Sequence, residues 1–448
     1  MPLLSTFGAA SARAFGLFNN LKEKFINLYS LRFNSGSTDY LNKTFSTKPT
    51  TWTMSVWVKR ANLGSLQAIA ATRNTSTNAS SLSFTAANQL QYIKESVSAF
   101  TTTALFRDPS AWYHIVLSST LSGTINLYVN NVLVDSASAS TNAYLFTNAS
   151  GYTNAIGRRG DSADSPYNGY MSQFYFIDGQ QLTPSSFAET DPSVPSSGIW
   201  VPKTYTGSYG TEGFFLEFEN SASLGTDSSG NGNNWTLNNL TSIDQTTDAP
   251  NNNFATFNPL VNNGTMPTYS NGNLTVTGGG NFGAPLSSIE VPKTGKWYCE
   301  IKVVSSSEDL GATGEVGIIT YLSGDELEVI YISDGQKRVD NTTTAYGSSF
   351  AVGDIIGIAV NSDGNQITFY KNGVSQTSIS YTMQANQTYF FTAIDTSNTG
   401  SIVYDANFGN PPFTIVSGNS DANGFGNFEY AVPSGYYALC TKNLSEYA

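Results

Sequence analysis

The run Thr51-Trp52-Thr53-Met54-Ser55-Val56-Trp57-Val58-Lys59 constrains this chain more than any other feature. Trp52, Met54, Val56 and Val58 share one side of an extended backbone, and Thr53, Ser55 and Lys59 share the other, with Trp57 as the exception. Successive strand side chains point to opposite faces, so this is a strand with one side on a core. Further strands are expected at 112–118 and 124–129. Asn130-Asn131 then separates Leu127-Tyr128-Val129 from Val132-Leu133-Val134, and Asn372-Gly373 separates Ile367-Thr368-Phe369-Tyr370-Lys371 from Val374. Two residues that tolerate positive φ between β-formers make a hairpin turn. Each hairpin follows an apolar strand, at 112–117 and at 355–360. The repeated grammar predicts two sandwiches of related architecture and not a short-period solenoid.

Composition agrees. A length of 448 residues suggests roughly two to three domains. Charged residues are 12% of the chain, about half the usual share. The polar surface is therefore built from Ser, Thr, Asn and Gly, which suits strands and turns and does not suit a helical bundle. The net charge of −12 and the absence of a basic stripe exclude a general nucleic-acid binder and disfavour adhesion to anionic lipid. Neutral sugars remain as ligands. No stretch approaches the ~20 apolar residues of a membrane span, so no membrane insertion is expected. The first residues lack the basic and apolar regions of a secretion signal, so release by lysis or a special export route is expected. Cys299 and Cys440 are too few for a disulfide scaffold. Buried free thiols are expected, although sequence separation leaves pairing open.

Four segments follow. In residues 1–29, Phe7, Ala14, Phe18, Leu21, Phe25 and Leu28 recur at helical spacing, interrupted by Gly8, Ser11 and Gly16. This helix either packs on its own domain, or joins subunits or plugs into a larger assembly through Phe18, Leu21, Phe25 and Leu28; a homo-oligomer, a trimer above others, is expected from it. A sandwich is predicted over 30–243. Residues 244–268, with Asn251-Asn252-Asn253, Pro250, Pro259 and Pro267, read as a connection whose Phe254, Phe257 and Leu260 lie against a domain. A second sandwich is predicted over 269–448, where Trp297, Cys299, Ile301 and Val303 alternate with Tyr298, Glu300 and Lys302.

Residues 30–190 resemble the laminin-G-like branch of the concanavalin A-like jelly rolls. The resemblance rests on Ser30-Leu31-Arg32-Phe33, Asp39-Tyr40-Leu41, the run at 52–59, Trp112-Tyr113-His114-Ile115-Val116, the hairpin at 127–134, and the stretch from Ile156-Gly157-Arg158 through Asn168-Gly169-Tyr170 to Leu182-Thr183. The second block is similar to a SPRY-type domain in Gly295-Lys296-Trp297-Tyr298-Cys299-Glu300, Val316-Gly317-Ile318, the stretch 353–359, the stretch 367–373, Asn407-Phe408-Gly409, Pro433-Ser434-Gly435-Tyr436 and Ala438-Leu439-Cys440. The resemblances imply an all-β chain: two concanavalin A-like jelly-roll β-sandwiches in tandem, preceded by a short N-terminal helical segment. With Met1-Pro2-Leu3-Leu4, the stretch 225–233 and the stretch 253–260, the tandem resembles virion proteins of tailed, often marine, phages. That implies a protein made in the host cytoplasm and exposed on the particle surface beside other virion proteins. It would be a tail fibre or tail appendage adhesin for a host-surface glycan or protein; the alternatives are a capsid decoration, head-fibre or spacer protein, and more remotely a glycan depolymerase.

The chemistry-bearing residues point to binding and not to catalysis. Some concanavalin-like sandwiches are glycosidases, which need paired carboxylates about 5–5.5 Å apart when retaining. Glu217 and Glu219 share a strand face, but the third carboxylate of the usual strand signature is missing. His114, the single histidine, sits mid-strand, where a structural role is expected. Zinc is not expected. Asp227, Ser229, Asn231 and Gly232 occupy places one, three, five and six of an oxygen-ligand loop, but place twelve is Asn238. That loop is either an ordinary turn or a structural calcium site, and Asp161 with Asp164 forms a second such candidate. No other cofactor is expected. Sugar binding calls for aromatic faces and planar polar groups on end loops. The candidates are Asp161, Asp164, Tyr167 and Asn168 in the first sandwich and Tyr321, Asp325, Asn341 and Tyr346 in the second. SPRY-like domains commonly bind peptides, so the second sandwich is also a candidate protein contact.

Overall fold

The computed structural model describes residues 29–74, 79–138, 143–160, 164–192, 198–263, 266–278, 283–321, 327–397 and 400–448. The stripe Phe18, Leu21, Phe25 and Leu28 lies outside them. The described chain is nearly all β, with one short helix at Thr441–Tyr447. No helix among the described residues is long and apolar enough to cross a membrane.

The first sandwich packs an eight-stranded sheet on a seven-stranded one. The order in the larger sheet is Val132–Ser138, Thr124–Val129, Trp112–Ser119, Trp52–Arg60, Gly169–Asp178, Ser30–Phe33 and Gln245–Thr246, with Phe214–Leu216 also paired to Gly169–Asp178. The other sheet runs Thr236–Asn238, Tyr40–Lys43, Thr153–Ile156, Gln67–Arg73, Ala79–Phe84, Leu90–Lys94 and Val97–Thr101. At the hairpin Val129 pairs with Val132, and Asn130 and Asn131 take φ of 47° and 67°, as the turn requires. Trp52, Met54, Val56 and Val58 lie in the core between the sheets.

The other side of Trp52–Arg60 does not face water as its polarity implied: every residue of the strand is buried. An excursion after Asp178 folds over this outer face, packing Phe187, Tyr205 and Phe215 onto Val116, Tyr175 and Ile177. Ser55 and Thr53 are covered but bonded, Thr53 donating to the Gln180 carbonyl at 2.8 Å.

The second sandwich repeats the plan. Its larger sheet runs Thr268–Ser270, Thr275–Thr277, Ile402–Asn407, Lys296–Ser306, Ile355–Asn361, Gln366–Lys371 and Val374–Ser375. Its smaller sheet runs Thr342–Ala345, Gln336–Val339, Glu328–Ile332, Gly314–Thr320 and Tyr389–Asp395. Trp297, Cys299, Ile301 and Val303 enter the core as expected. Tyr298 and Glu300, on the opposite face, are also buried, under the segment that carries Phe428, Ala438 and Cys440. Cys299 and Cys440 are free thiols in separate clusters on opposite faces of the same sheet.

Residues 244–268 connect the sandwiches with both ends woven in. Thr246 pairs with Ser30 of the first, and Phe257 pairs with Ser287 of the second. Phe254 and Phe257 are buried there, whereas Leu260 is exposed. Hydrogen bonds cross the seam between the sandwiches: Tyr170 Oη donates to the Gly272 carbonyl at 2.8 Å, Asn34 Nδ2 to Asn271 Oδ1 at 3.0 Å, and Arg32 to the Pro411 carbonyl at 3.3 Å.

Candidate functional site

Loops at one end of the first sandwich enclose a hollow of about 400 Å³. Three stretches build it: Ser35 and Gly36, the loop from Asn62 to Gln67, and Asp164 to Asn168. Gln67 ties the last two. Its Nε2 donates to the Asn62 carbonyl at 2.9 Å and to Ser65 Oγ at 3.0 Å, and its Oε1 accepts from the Asn168 backbone at 3.4 Å. Gly169 makes the turn that follows possible: its φ is 146°, and a Cβ there would lie 2.2 Å from the Lys59 carbonyl oxygen. The first wall is held by Asp39, whose oxygens accept from Asn34 N at 2.8 Å and Ser37 Oγ at 2.6 Å. Burial pushes the Asp39 carboxyl up to about 6, against those hydrogen bonds.

Two of the four residues expected in this sandwich line the hollow. Asp164 accepts from Ser165 Oγ at 2.9 Å and from Arg73 Nη1 at 3.1 Å. Asn168 is 7% exposed, and its Oδ1 has no donor. Tyr167 does not belong to the site: it is fully buried, donates to the Lys59 carbonyl at 3.0 Å and packs edge-on against Phe33. Asp161 lies outside the described residues. Ser35, Asn62, Ser65 and Gln67 complete the lining and carried no pattern in the sequence that marked them. The hollow thus offers hydroxyls, amides and one partly neutralised carboxylate, with Leu66 and Pro166 as its apolar surface. Such groups match the alternating donors and acceptors of a hydroxylated ligand.

The second set does not converge. Tyr321 is exposed after Gly314–Thr320, and Asn341 sits in the Val339–Thr342 turn. Tyr346 lies at the far end of that hairpin, where its N–H bonds the Gly335 carbonyl and its ring packs edge-on against Tyr331 at 5.2 Å. Asp325 lies outside the described residues.

The loop of Asp227, Ser229 and Asn231 is knitted by hydrogen bonds. Asp227 Oδ1 accepts from the backbones of Phe215 at 2.9 Å and Ser229 at 2.8 Å, and Oδ2 accepts from Ser229 Oγ and Asn233 N, both at 2.8 Å. Asn231 turns its amide N–H groups to the carbonyls of Gly210 and Gly213. A cation here would have to displace donors already in place. Among the described residues no cluster of three or more His, Cys, Asp or Glu is placed to hold a metal.

Glu217 and Glu219 line a hollow of about 160 Å³. They are not consecutive same-face residues of a strand: pairing ends at Leu216, and Phe218 takes φ of 59°. His114 is fully buried and stacked on Trp57 at 4.7 Å. Trp200 Nε1, which can only donate, lies 3.0 Å from His114 Nδ1, so the ring proton sits on Nε2 and points to Ser55 Oγ at 2.8 Å. Burial pushes this imidazole down to about 3. With no carboxylate behind it, the arrangement is a neutral structural bond and not a nucleophile–base pair.

Comparison with known proteins bears on the two sandwiches. Residues 35–188 match the concanavalin A-like lectin/glucanases superfamily, and residues 297–410 match the SPRY domain. None of the curated proteins matches the chain. Among solved structures, the SPRY domain of human HERC1 is 21% identical over 34% of this chain and 96% of its own, with a TM-score of 0.30. A putative carbohydrate binding protein from Bacteroides ovatus is 16% identical over 48% of this chain and 59% of its own, with a TM-score of 0.32. The IT-sialidase CBM40 of Ruminococcus gnavus, bound to α2,3 sialyllactose, is 14% identical over 32% of this chain and 90% of its own, with a TM-score of 0.26. The chain is therefore a tandem of a concanavalin A-like domain and a SPRY domain.

Proposed function

We propose that this chain is a non-catalytic adhesin on the surface of a tailed-phage particle, carried on a tail fibre or appendage, and that it holds a host-surface saccharide in the end hollow of its first sandwich. The observation that carries the reading is the hollow itself: about 400 Å³ lined by hydroxyls and amides. The hydroxyls and amides that line it, Ser35, Asn62, Ser65 and Gln67, can exchange hydrogen bonds with the hydroxyls of a sugar. The acidic chain, at −12, favours neutral over anionic sugars. The second sandwich serves as a protein contact, and residues 1–29 join copies of the chain, as a trimer, or attach it to other virion proteins. Saturation-transfer NMR of the full chain with neutral mono- and disaccharides tests the site. Transfer that disappears in Ser65→Trp, which fills the hollow, supports it; transfer unchanged by that substitution removes the hollow from the reading. Gold-labelled antibody on intact particles separates tail from capsid placement.

A further inference from the structure

Lys59 is the one buried lysine among the described residues, 1% exposed at the side chain, and it lies on the seam between the sandwiches. Its Nζ is 2.8 Å from Asp248 Oδ2 and 2.7 Å from Asn253 Oδ1. The Phe254 carbonyl is the third neighbour, at 3.2 Å. Asp248 is fully buried and is aimed by two donors to its Oδ1, Trp112 Nε1 at 3.2 Å and the Phe254 backbone at 3.3 Å. The Tyr170 ring lies 5.5 Å from the lysine nitrogen. An amine, a carboxamide and a carboxylate are thus held together in an aromatic enclosure. The contact pattern is that of an ion pair, but the same three groups are the complete set for amide exchange.

We propose that Lys59 and Asn253 become joined by an intramolecular isopeptide bond, promoted by Asp248, that ties the first sandwich covalently to the entry of the second. Asp248 takes a proton from the Lys59 ammonium and frees the Nζ lone pair. Nζ attacks Cγ of Asn253, and the carboxyl group returns the proton to Nδ2. The Cγ–Nδ2 bond breaks as Nζ–Cγ becomes an amide, and ammonia departs with the second amine proton as ammonium. One C–N bond forms and one breaks, and nothing is oxidised or reduced. The neighbours suit each stage. Fixed approach replaces a bimolecular encounter. Asn253 Nδ2 donates to the Ser110 carbonyl, 2.7 Å away, and the residue is half-buried, so the leaving group starts close to solvent. The amide removes the buried cation, and the Asp248 carboxylate keeps its donors from Trp112 Nε1 and the Phe254 backbone.

The test is the mass of the full chain. Denatured protein about 17 Da lighter than its sequence, the mass of one ammonia lost in acyl transfer to an amine, together with a protease-resistant peptide pair joining Lys59 to Asn253, is the expected result. Asp248→Asn and Asn253→Ala should restore the sequence mass. Wild-type protein at full sequence mass after prolonged incubation overturns the proposal and leaves a latch of hydrogen bonds. A light species without that peptide pair, as a succinimide at an Asn-Gly turn would produce, overturns it as well.

Discussion

The two sandwiches share a strand plan but differ in how they treat the outer face of the larger sheet. The first covers it with an excursion between its own strands, ending in Phe187, Tyr205 and Phe215. It then seals the polar residues with an uncharged device, the neutral His114 between Trp200 and Ser55. The second covers its outer face with the last stretch of the chain, and the polar residue beneath is an acid. Glu300 accepts from the backbones of Glu429 and Tyr430, both at 2.9 Å, and from Asn407 Nδ2 at 3.0 Å. Its smaller sheet adds a charged trio in which Arg338 pairs with Glu315, with both N–H···O distances 2.6 Å, and also with Glu328. At matched places on the outer face, the first half is therefore closed by a neutral imidazole and the second by a carboxyl group, while the buried ion pair of the first half, Lys59 with Asp248, lies at the seam.

The largest test of that contrast is truncation. A fragment beginning at residue 250 should unfold cooperatively. One beginning at 269 loses the buried Phe254 and Phe257, each worth roughly 1.5–3 kcal/mol, and should be markedly less stable in urea. If both fragments unfold at the same midpoint, the connection contributes nothing to the second fold. Next in size is Arg338→Met, which strands two buried carboxylates and should cost about 3 kcal/mol in the second transition while leaving the first in place.

The pH response should run in opposite directions. Burial pushes Glu300 up to about 7, so the folded state holds a proton that the unfolded state releases. Its contribution is present below the unfolded value near 4.5 and fades as pH rises towards 7. His114 is pushed down to about 3, so the unfolded state takes up the proton, and stability falls as pH drops below about 6.5. Melting scans from pH 4 to 8 should show Glu300→Gln flattening one slope and His114→Gln flattening the other, each by a few kcal/mol at most. Identical profiles in both variants would dissolve the comparison. The smallest effect concerns the Asp227 loop. Calcium or a chelator should move the melting midpoint by less than about 1 °C, because binding stabilises only in proportion to site occupancy; a larger rise with calcium would show that a cation displaces the Ser229 and Asn233 donors.

What the sequence could reveal follows from what periodicity encodes. Alternation reports which residues share a face, so Trp52, Met54, Val56 and Val58, and later Trp297 to Val303, were legible as core. It does not report what arrives later to cover the other face, so Ser55, Lys59 and Glu300 read as solvent-facing when distant segments bury them. The site was half legible for a related reason. Asp164 and Asn168 stood out as polar residues beside a turn, but Ser35, Asn62, Ser65 and Gln67 become neighbours only through strand order. Tyr167 read as a loop aromatic because nothing local shows that Phe33 lies beneath it.

The closing segment also orders events in time. Thr441 N bonds the Asn253 carbonyl at 2.9 Å, and Phe254 bridges to Cys440. On a ribosome adding ~5–20 residues per second, the second sandwich waits about ten seconds or more for the strand that completes it, whereas the first has every strand it needs once Thr246 emerges. During that interval Phe254 and Tyr298 have no cover. A nascent chain cut short before Cys440 would leave both rings open to water.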